Sequence, residues 1–208
     1  MADELIDIYD ENMNFLGTAS KSQAHKEGLW HMTFHCWIVK KASDGHHRIW
    51  LQLRSKEKDC YPSLLDTSAA GHLRSGEKPK DGIREVEEEI GLQISPDNLT
   101  KLFTDKKIAP ENNCEFAHTY LFETDKNISN LKLQAEEVDG IVEASVDDLI
   151  NLFNRKVEKV FVTGLMKNEE NQYLPHTGFV TAADFVPHGD NYYLKVMTTI
   201  KRFCNGGE

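Results

Sequence analysis

Two periodicities run along this chain, one of two residues and one near three and a half, and between them they mark out most of the elements. Leu5 to Tyr9 alternates apolar and acidic residues and, with Asn14 to Gly17 as a turn and return, predicts an edge hairpin that caps a core sheet. Ser20 to Lys26 reads as a short polar helix or loop. Leu29 to Lys40 (LWHMTFHCWIVK) and Arg48 to Arg54 (RIWLQLR), separated by the turn-rich SDGHH, carry the aromatic and β-branched residues of central strands. Ser63 to Ala70 leads into a glycine-bearing loop. Beyond it, Leu99 to Ile108 and Glu115 to Glu123 alternate as strands do, and Gly140 to Ala144 adds a short one. Val146 to Phe153 begins with two acids, as the positive end of a helix prefers. From Asn154 the pattern loosens into a polar tract punctuated by Pro175, Gly178, Pro187 and Gly189. Tyr192, Tyr193, Val196, Met197, Ile200 and Phe203 then recur at spacings of three and four, with Asp190, Lys195 and Lys201 among the polar positions, so the chain closes with an amphipathic helix. That stripe is expected to pack on the chain's own core, with a homodimer interface as the alternative.

Composition narrows the picture. A chain of 208 residues, 39% hydrophobic, can bury one substantial core, so we expect a lead-in over 1–28, one domain over 29–155 and an extension over 156–208 that packs on it. The formal net charge of −10, with no basic cluster to offset it, argues against a nucleic-acid polymer as partner. Cys36, Cys60, Cys114 and Cys204 are scattered without CxxC spacing and read as reduced thiols. The acidic start MADELIDIYD has no basic region followed by an apolar run, and no stretch approaches the ~18 apolar residues of a membrane span. A cytoplasmic protein without membrane partners is the expectation.

The chemistry concentrates between Gly71 and Leu92, GHLRSGEKPKDGIREVEEEIGL. Pro79 suits a first helical turn, Asp81 its positive end, and Gly91 the left-handed residue that stops a helix, which predicts a helix from Pro79 to Ile90. Glu85, Glu88 and Glu89 fall on one face of it and Ile83, Val86 and Ile90 on the opposite face. Like charges at these spacings destabilise a helix by a few tenths of a kcal/mol per pair, and a hard cation such as Mg²⁺ or Mn²⁺ removes the repulsion. A solvated acidic face is the alternative reading of the glutamates alone.

The same stretch resembles the Nudix box, G-x5-E-x7-R-E-U-x-E-E-x-G-U with U aliphatic, through Gly71, Glu77, Arg84, Glu85, Val86, Glu88, Glu89, Gly91 and Leu92. Only six residues, Lys78 to Ile83, separate Glu77 from Arg84, where the family has seven, and the gap has to be absorbed at or before the start of the helix, near Gly82. The resemblance implies an α/β fold, the Nudix α/β/α sandwich with a mixed sheet, here with an N-terminal hairpin and a C-terminal helical extension. It also implies a metal-dependent hydrolase of a small diphosphate such as a nucleoside diphosphate linked to another group. Glu85, Glu88, Glu89 and Glu115 would hold Mg²⁺ or Mn²⁺, with Glu88, Glu89, Arg84 and Glu115 as the catalytic set and Arg54, Lys58, Gly71 and His72 toward substrate.

Within that superfamily the flanks look like the branch containing type 1 isopentenyl-diphosphate isomerase and its hydrolase-like relatives. His25 and His31 stand much as two metal-binding histidines do there, His72 matches a third ligand, Arg54 and Lys58 precede Tyr61-Pro62 like a diphosphate-binding pair, and Glu115 matches a catalytic and metal-binding glutamate. The isomerases' acid/base cysteine is replaced by Ala70, and a second glutamate ligand by Asn113. Isomerisation needs positioned proton-transfer groups on both faces of the substrate, so hydrolysis ranks first, with the isomerase and a non-catalytic diphosphate sensor as alternatives.

Overall fold

The run read as the first central strand is β3, Trp30–Lys41, and the other layers are arranged on it in the computed structural model, which describes residues 3–109, 113–189 and 191–206. Before it come β1 (Leu5–Tyr9), β2 (Phe15–Ser20) and the short helix α1 (Lys21–Glu27). After it come β4 (His47–Arg54), β5 (Leu65–Asp66), β6 (Ala69–His72), helix α2 (Arg84–Ile90), β7 (Thr100–Ala109) and β8 (Asn113–Thr124). Then follow β9 (Val138–Ser145), α3 (Val146–Phe153), β10 (Val160–Lys167), β11 (Tyr173–Val180) and α4 (Tyr192–Cys204). β3 pairs in parallel with β8 along its length, from His31 opposite Glu115 to Lys40 opposite Thr124. Its other edge is shared by β1, β6 and β4, all antiparallel, and the sheet runs on through β9, β10 and β11.

Alternation divides the sheet's side chains between two cores, and this is what makes three layers. Phe34, Cys36 and Ile38 of β3, Trp50 of β4 and Tyr120 of β8 pack with Val86 and Ile90 of α2. Trp37 and Val39, Ile49 and Leu51, and Leu121 point to the opposite side, where Leu149 and Leu152 of α3 and Tyr192, Tyr193, Val196, Met197 and Ile200 of α4 cover them. The apolar stripe of the closing helix is therefore consumed within the chain, leaving Phe203 exposed. Asp190, read as one of its polar positions, lies outside the described residues.

Two expectations are corrected. The tract after Asn154 holds the hairpin β10–β11, whose strands escape detection because only Val160 and Val162 are buried and β11 is an edge strand that tolerates Pro175. The helix carrying the glutamates begins at Arg84 and not at Pro79; a 3₁₀ turn over Asp81–Ile83 precedes it, and the Asp81 carboxylate closes a turn by accepting from the Lys78 N–H at 2.8 Å. Three residues of 3₁₀ helix advance about 6 Å, as far as about four in an α-helix. A spacer one residue short can so bridge Glu77 to Arg84. Gly82, buried in that turn, is required by close approach, since a Cβ there would overlap Phe34.

Candidate active site

Val86 and Ile90 pin α2 to the sheet, and Gly91, in the left-handed conformation at φ 67°, ends it with its N–H on the Glu87 carbonyl at 3.0 Å. The three glutamates of its other side are not equivalent. Glu88 is exposed, Glu85 half-buried, and Glu89 buried at 5% exposure. Glu89 Oε2 accepts from Gln52 Nε2 at 3.0 Å and from the Ala70 N–H at 3.2 Å, so the carboxylate is aimed at the junction of β4 and β6. Burial raises its pKa, partly countered by Lys58 nearby. Burial also pushes Glu85 up to about 7, against the pull of Arg84 and reinforced by the charges of Glu89 and Glu88. Two carboxylates that resist ionising, Glu85 and Glu89, with exposed Glu88 on the same face, form a donor set suited to a hard divalent cation.

Arg84 organises this cluster. Its Nε lies 2.8 Å from Glu77 Oε1, Nη1 lies 2.6 Å from Glu85 Oε1 and 3.1 Å from Glu88 Oε2, and Nη2 donates to the His72 carbonyl at 2.9 Å. Burial opposes the guanidinium's charge, but Glu77 and Glu85 more than offset this and raise its pKa. Despite the short spacer Glu77 reaches Arg84, its other oxygen accepting the Arg74 N–H at 2.7 Å. Gly71 lies against the Glu85 carboxylate so closely that a Cβ would overlap it.

The remaining predicted residues divide into two groups. Arg54 spans the 60–61 carbonyls, at 2.9 Å from Cys60 O and 3.2 Å from Tyr61 O, and reaches Asp66 Oδ2 at 3.6 Å. Lys58 is ion-paired with Glu137 and lies close enough to Glu89 to influence it. His72 and Glu115 belong with His25 and His31. The nitrogens of His25, His31 and His72 fall within 4.8 Å of one another, and His25 Nε2 and His72 Nε2 are 2.9 Å apart. Burial lowers the pKa of all three, so they are neutral imidazoles with lone pairs, and buried His31 Nε2 has no hydrogen-bond partner among the described residues. Glu115, opposite His31 in the ladder, accepts from Asn113 Nδ2 at 2.6 Å and Thr33 Oγ1 at 3.4 Å. These imidazoles suit a transition metal better than Mg²⁺.

Sequence reasoning missed Gln52, whose signal was a polar side chain inside an apolar strand run and which is 3% exposed. It also missed the chain from buried Asp66 through half-buried His188 to Lys107, where no local signal existed. His188 Nε2 lies 2.6 Å from Asp66 Oδ1, Lys107 Nζ lies 3.3 Å from His188 Nδ1 and 3.6 Å from the centre of the Tyr192 ring. Burial opposes the Asp66 charge, yet His188 and Arg54 hold this carboxyl well below the usual range.

The NUDIX domain family matches residues 14–162. An uncharacterized Nudix hydrolase of Clostridium acetobutylicum is 35% identical over 203 residues, 96% of this chain and 98% of that protein. An isopentenyl-diphosphate Delta-isomerase of Corynebacterium diphtheriae is 30% identical over 71% of this chain and 82% of its own length. Among solved structures, one from Deinococcus radiodurans superposes with a TM-score of 0.58 at 20% identity, covering 73% of this chain and 90% of that one. A MutT/nudix family protein of Enterococcus faecalis gives 0.56 at 12% identity over 84% of this chain and 62% of that one, and likenesses this remote bear on fold alone. With the box residues drawn into one cluster around Arg84, and with this match over more than half its length, the chain belongs to the Nudix hydrolase family.

Proposed function

We propose that the protein hydrolyses a diphosphate linkage in a small molecule, such as a nucleoside diphosphate joined to another group, with Glu85, Glu88 and Glu89 holding Mg²⁺ or Mn²⁺. The observation that carries this reading is the Glu85–Glu88–Glu89 face, clamped by Arg84 and opening beside Gly71. A bound divalent cation supplies the positive charge that neutralises a diphosphate and lowers the pKa of water. The chain's own part is to hold the donors: Gln52 and the Ala70 N–H fix Glu89, and Arg84 fixes Glu85 and Glu88 while Glu77 fixes Arg84. Glu115 is a base or further donor, and Lys58, beside Glu89, meets the diphosphate. Glu89→Gln should reduce phosphate release by more than ~10² while leaving the melting temperature nearly unchanged. Screening nucleotide sugars, dinucleoside polyphosphates, NADH and CDP-alcohols with Mg²⁺ or Mn²⁺ measures it. Activity of the variant within tenfold of wild type would refute the assignment, and a chain that binds these compounds without consuming any would be a sensor.

A second reading, isopentenyl-diphosphate isomerase, is favoured by the trio of His25, His31 and His72 beside Glu115 and opposed by Ala70, whose side chain has no proton to give. Proton NMR of isopentenyl diphosphate incubated with the protein and Mn²⁺ or Zn²⁺ decides it; dimethylallyl diphosphate forming at about 1 s⁻¹ or faster establishes the isomerase.

A further inference from the structure

The ladder places three functional side chains in a row. His31 of β3 stands opposite Glu115 of β8, and Glu115 stands opposite Lys107 of β7, so all three emerge on the same side of the sheet. Two strand spacings separate the ends of the row, about 10 Å. One end is the histidine trio, and His72 adjoins Gly71 and the carboxylates of α2. The other end opens into a cavity of about 280 Å³ whose walls include Lys106, Lys107, His188, Tyr192 and Lys195.

The charges in that cavity are unevenly matched. Lys106 is ion-paired with Glu11, and Lys195 with Asp105, which also lines the cavity. Lys107 has no carboxylate within 4.0 Å among the described residues. Its ammonium rests on the face of Tyr192 and against His188 Nδ1. A carboxylate only accepts, so His188 gives its Nε2–H to Asp66 and turns the lone pair of Nδ1 toward Lys107. An imidazole lone pair and an aromatic face orient a cation without neutralising it. Burial accordingly pushes Lys107 down to about 8, even with Glu115, Asp66 and Asp105 pulling the other way. The half-buried ammonium is thus oriented by a ring and an imidazole, while the carboxylates around it act only from beyond ion-pair distance.

We propose that Lys107, set by His188 and Tyr192, binds an oxyanion of the substrate, a phosphate group about 10 Å along the sheet from the His31 end of the row and separate from the diphosphate that is cleaved. This rests on the hydrolase reading and adds to it a substrate class: a diphosphate carrying a second, remote anionic group. Asp66 and His188 are positioning residues here, since they act through the Lys107 ammonium.

Inorganic phosphate is the probe, titrated by calorimetry at constant ionic strength into the full chain freed of divalent metal, a condition in which the α2 carboxylates repel it. One site should be seen in the wild type. It should weaken by about tenfold or more in Lys107→Met, return in part in Lys107→Arg, and persist in Glu89→Gln. Equal binding in wild type and Lys107→Met, or none in either, overturns the proposal. If Lys107→Met melts early, the Lys107→Arg comparison and a Lys107→Gln variant carry the same test. In turnover assays phosphate should raise KM for the best diphosphate substrate in the wild type and do so less in Lys107→Met, with kcat little changed. Phosphate that binds at Lys107 yet leaves KM untouched would show that the site does not belong to the substrate. Lys107-dependent phosphate binding in a chain that hydrolyses no diphosphate would instead leave the anion site standing and refute the hydrolase reading.

Discussion

Gly71 presses its Cα against the Glu85 carboxylate, with no room between them for a Cβ. Glu85 lies at the end of a flexible side chain, so a methyl group at residue 71 displaces the carboxylate and spares the backbone. Gly71→Ala should therefore keep the fold, with a change in unfolding free energy within about 1 kcal/mol, and lose about 10² in kcat/KM, as expected when a catalytic group is misplaced by about 1 Å. Gly82→Ala makes the matching control. Its Cβ would meet Phe34 in the core, so about 1–3 kcal/mol of stability is lost there. Thermal melts and steady-state rates on the two variants separate positioning from packing.

Arg84 holds Glu77, Glu85 and Glu88 at once and still reaches the His72 carbonyl. A planar guanidinium can do this because its donors fan out in fixed directions; an ammonium cannot. Arg84→Lys keeps the charge and loses most of the contacts. We expect it to lower stability by about 1–3 kcal/mol and to reduce kcat by an order of magnitude or more, measured by denaturant titration and metal-dependent phosphate release. A variant with wild-type kcat would mean that the glutamates are held by something other than Arg84.

How far the sequence could be read follows from the range of the interactions involved. Glu85, Glu88, Glu89, Val86, Ile90 and Gly91 are placed by one helical period and one left-handed stop, both local, and the central strands follow from alternation. The start of α2 is not legible locally because Pro79 and Asp81 are good residues for a helical turn and for a tight turn alike, and only the short distance from Glu77 to Arg84 decides between them. The β10–β11 hairpin escapes the pattern because an edge hairpin with few buried side chains has little hydrophobic periodicity to show. Nothing local could have joined Asp66 to His188, which are 122 residues apart, or Lys107 to His188, 81 apart.

The pH dependence of stability can be assigned to Glu85 by difference. Its carboxyl has an ordinary value of 4.5 and is pushed up to about 7 by burial in the fold. A group whose folded pKa is raised contributes stability that is fully present below the unfolded value and is lost as pH rises through the folded one. In metal-free protein, wild type should therefore lose up to about 3 kcal/mol relative to Glu85→Gln between pH 4.5 and about 8. Mg²⁺ should reverse the trend, stabilising wild type more at pH 8 than at pH 6, because a ligand carboxylate must be ionised. Denaturant titrations of both proteins, with EDTA and with Mg²⁺, measure it. Parallel pH profiles for the two metal-free proteins would show that burial does not perturb Glu85 in this way.

The closing helix should be indispensable to the fold even though the Nudix match ends before it. Tyr192, Tyr193, Val196, Met197 and Ile200 of α4 belong to the same core as Trp37, Leu51, Leu121 and Leu149, and Lys201 ties its last turn to Asp147 of α3 at 2.5 Å. Each of those five side chains is worth about 1.5–3 kcal/mol when buried, against a total stability of about 5–15 kcal/mol for a domain. Truncation before Asn191 removes all five and uncovers the sheet residues beneath them, so the shortened chain should not fold cooperatively. Ile200→Ala gives a graded version, expected to cost about 2–5 kcal/mol through the cavity it leaves. Circular dichroism melts with sedimentation of the full-length, truncated and Ile200→Ala chains test this. A truncated chain that is soluble, cooperative and as stable as the full-length protein would mean that α4 does not support the core it covers.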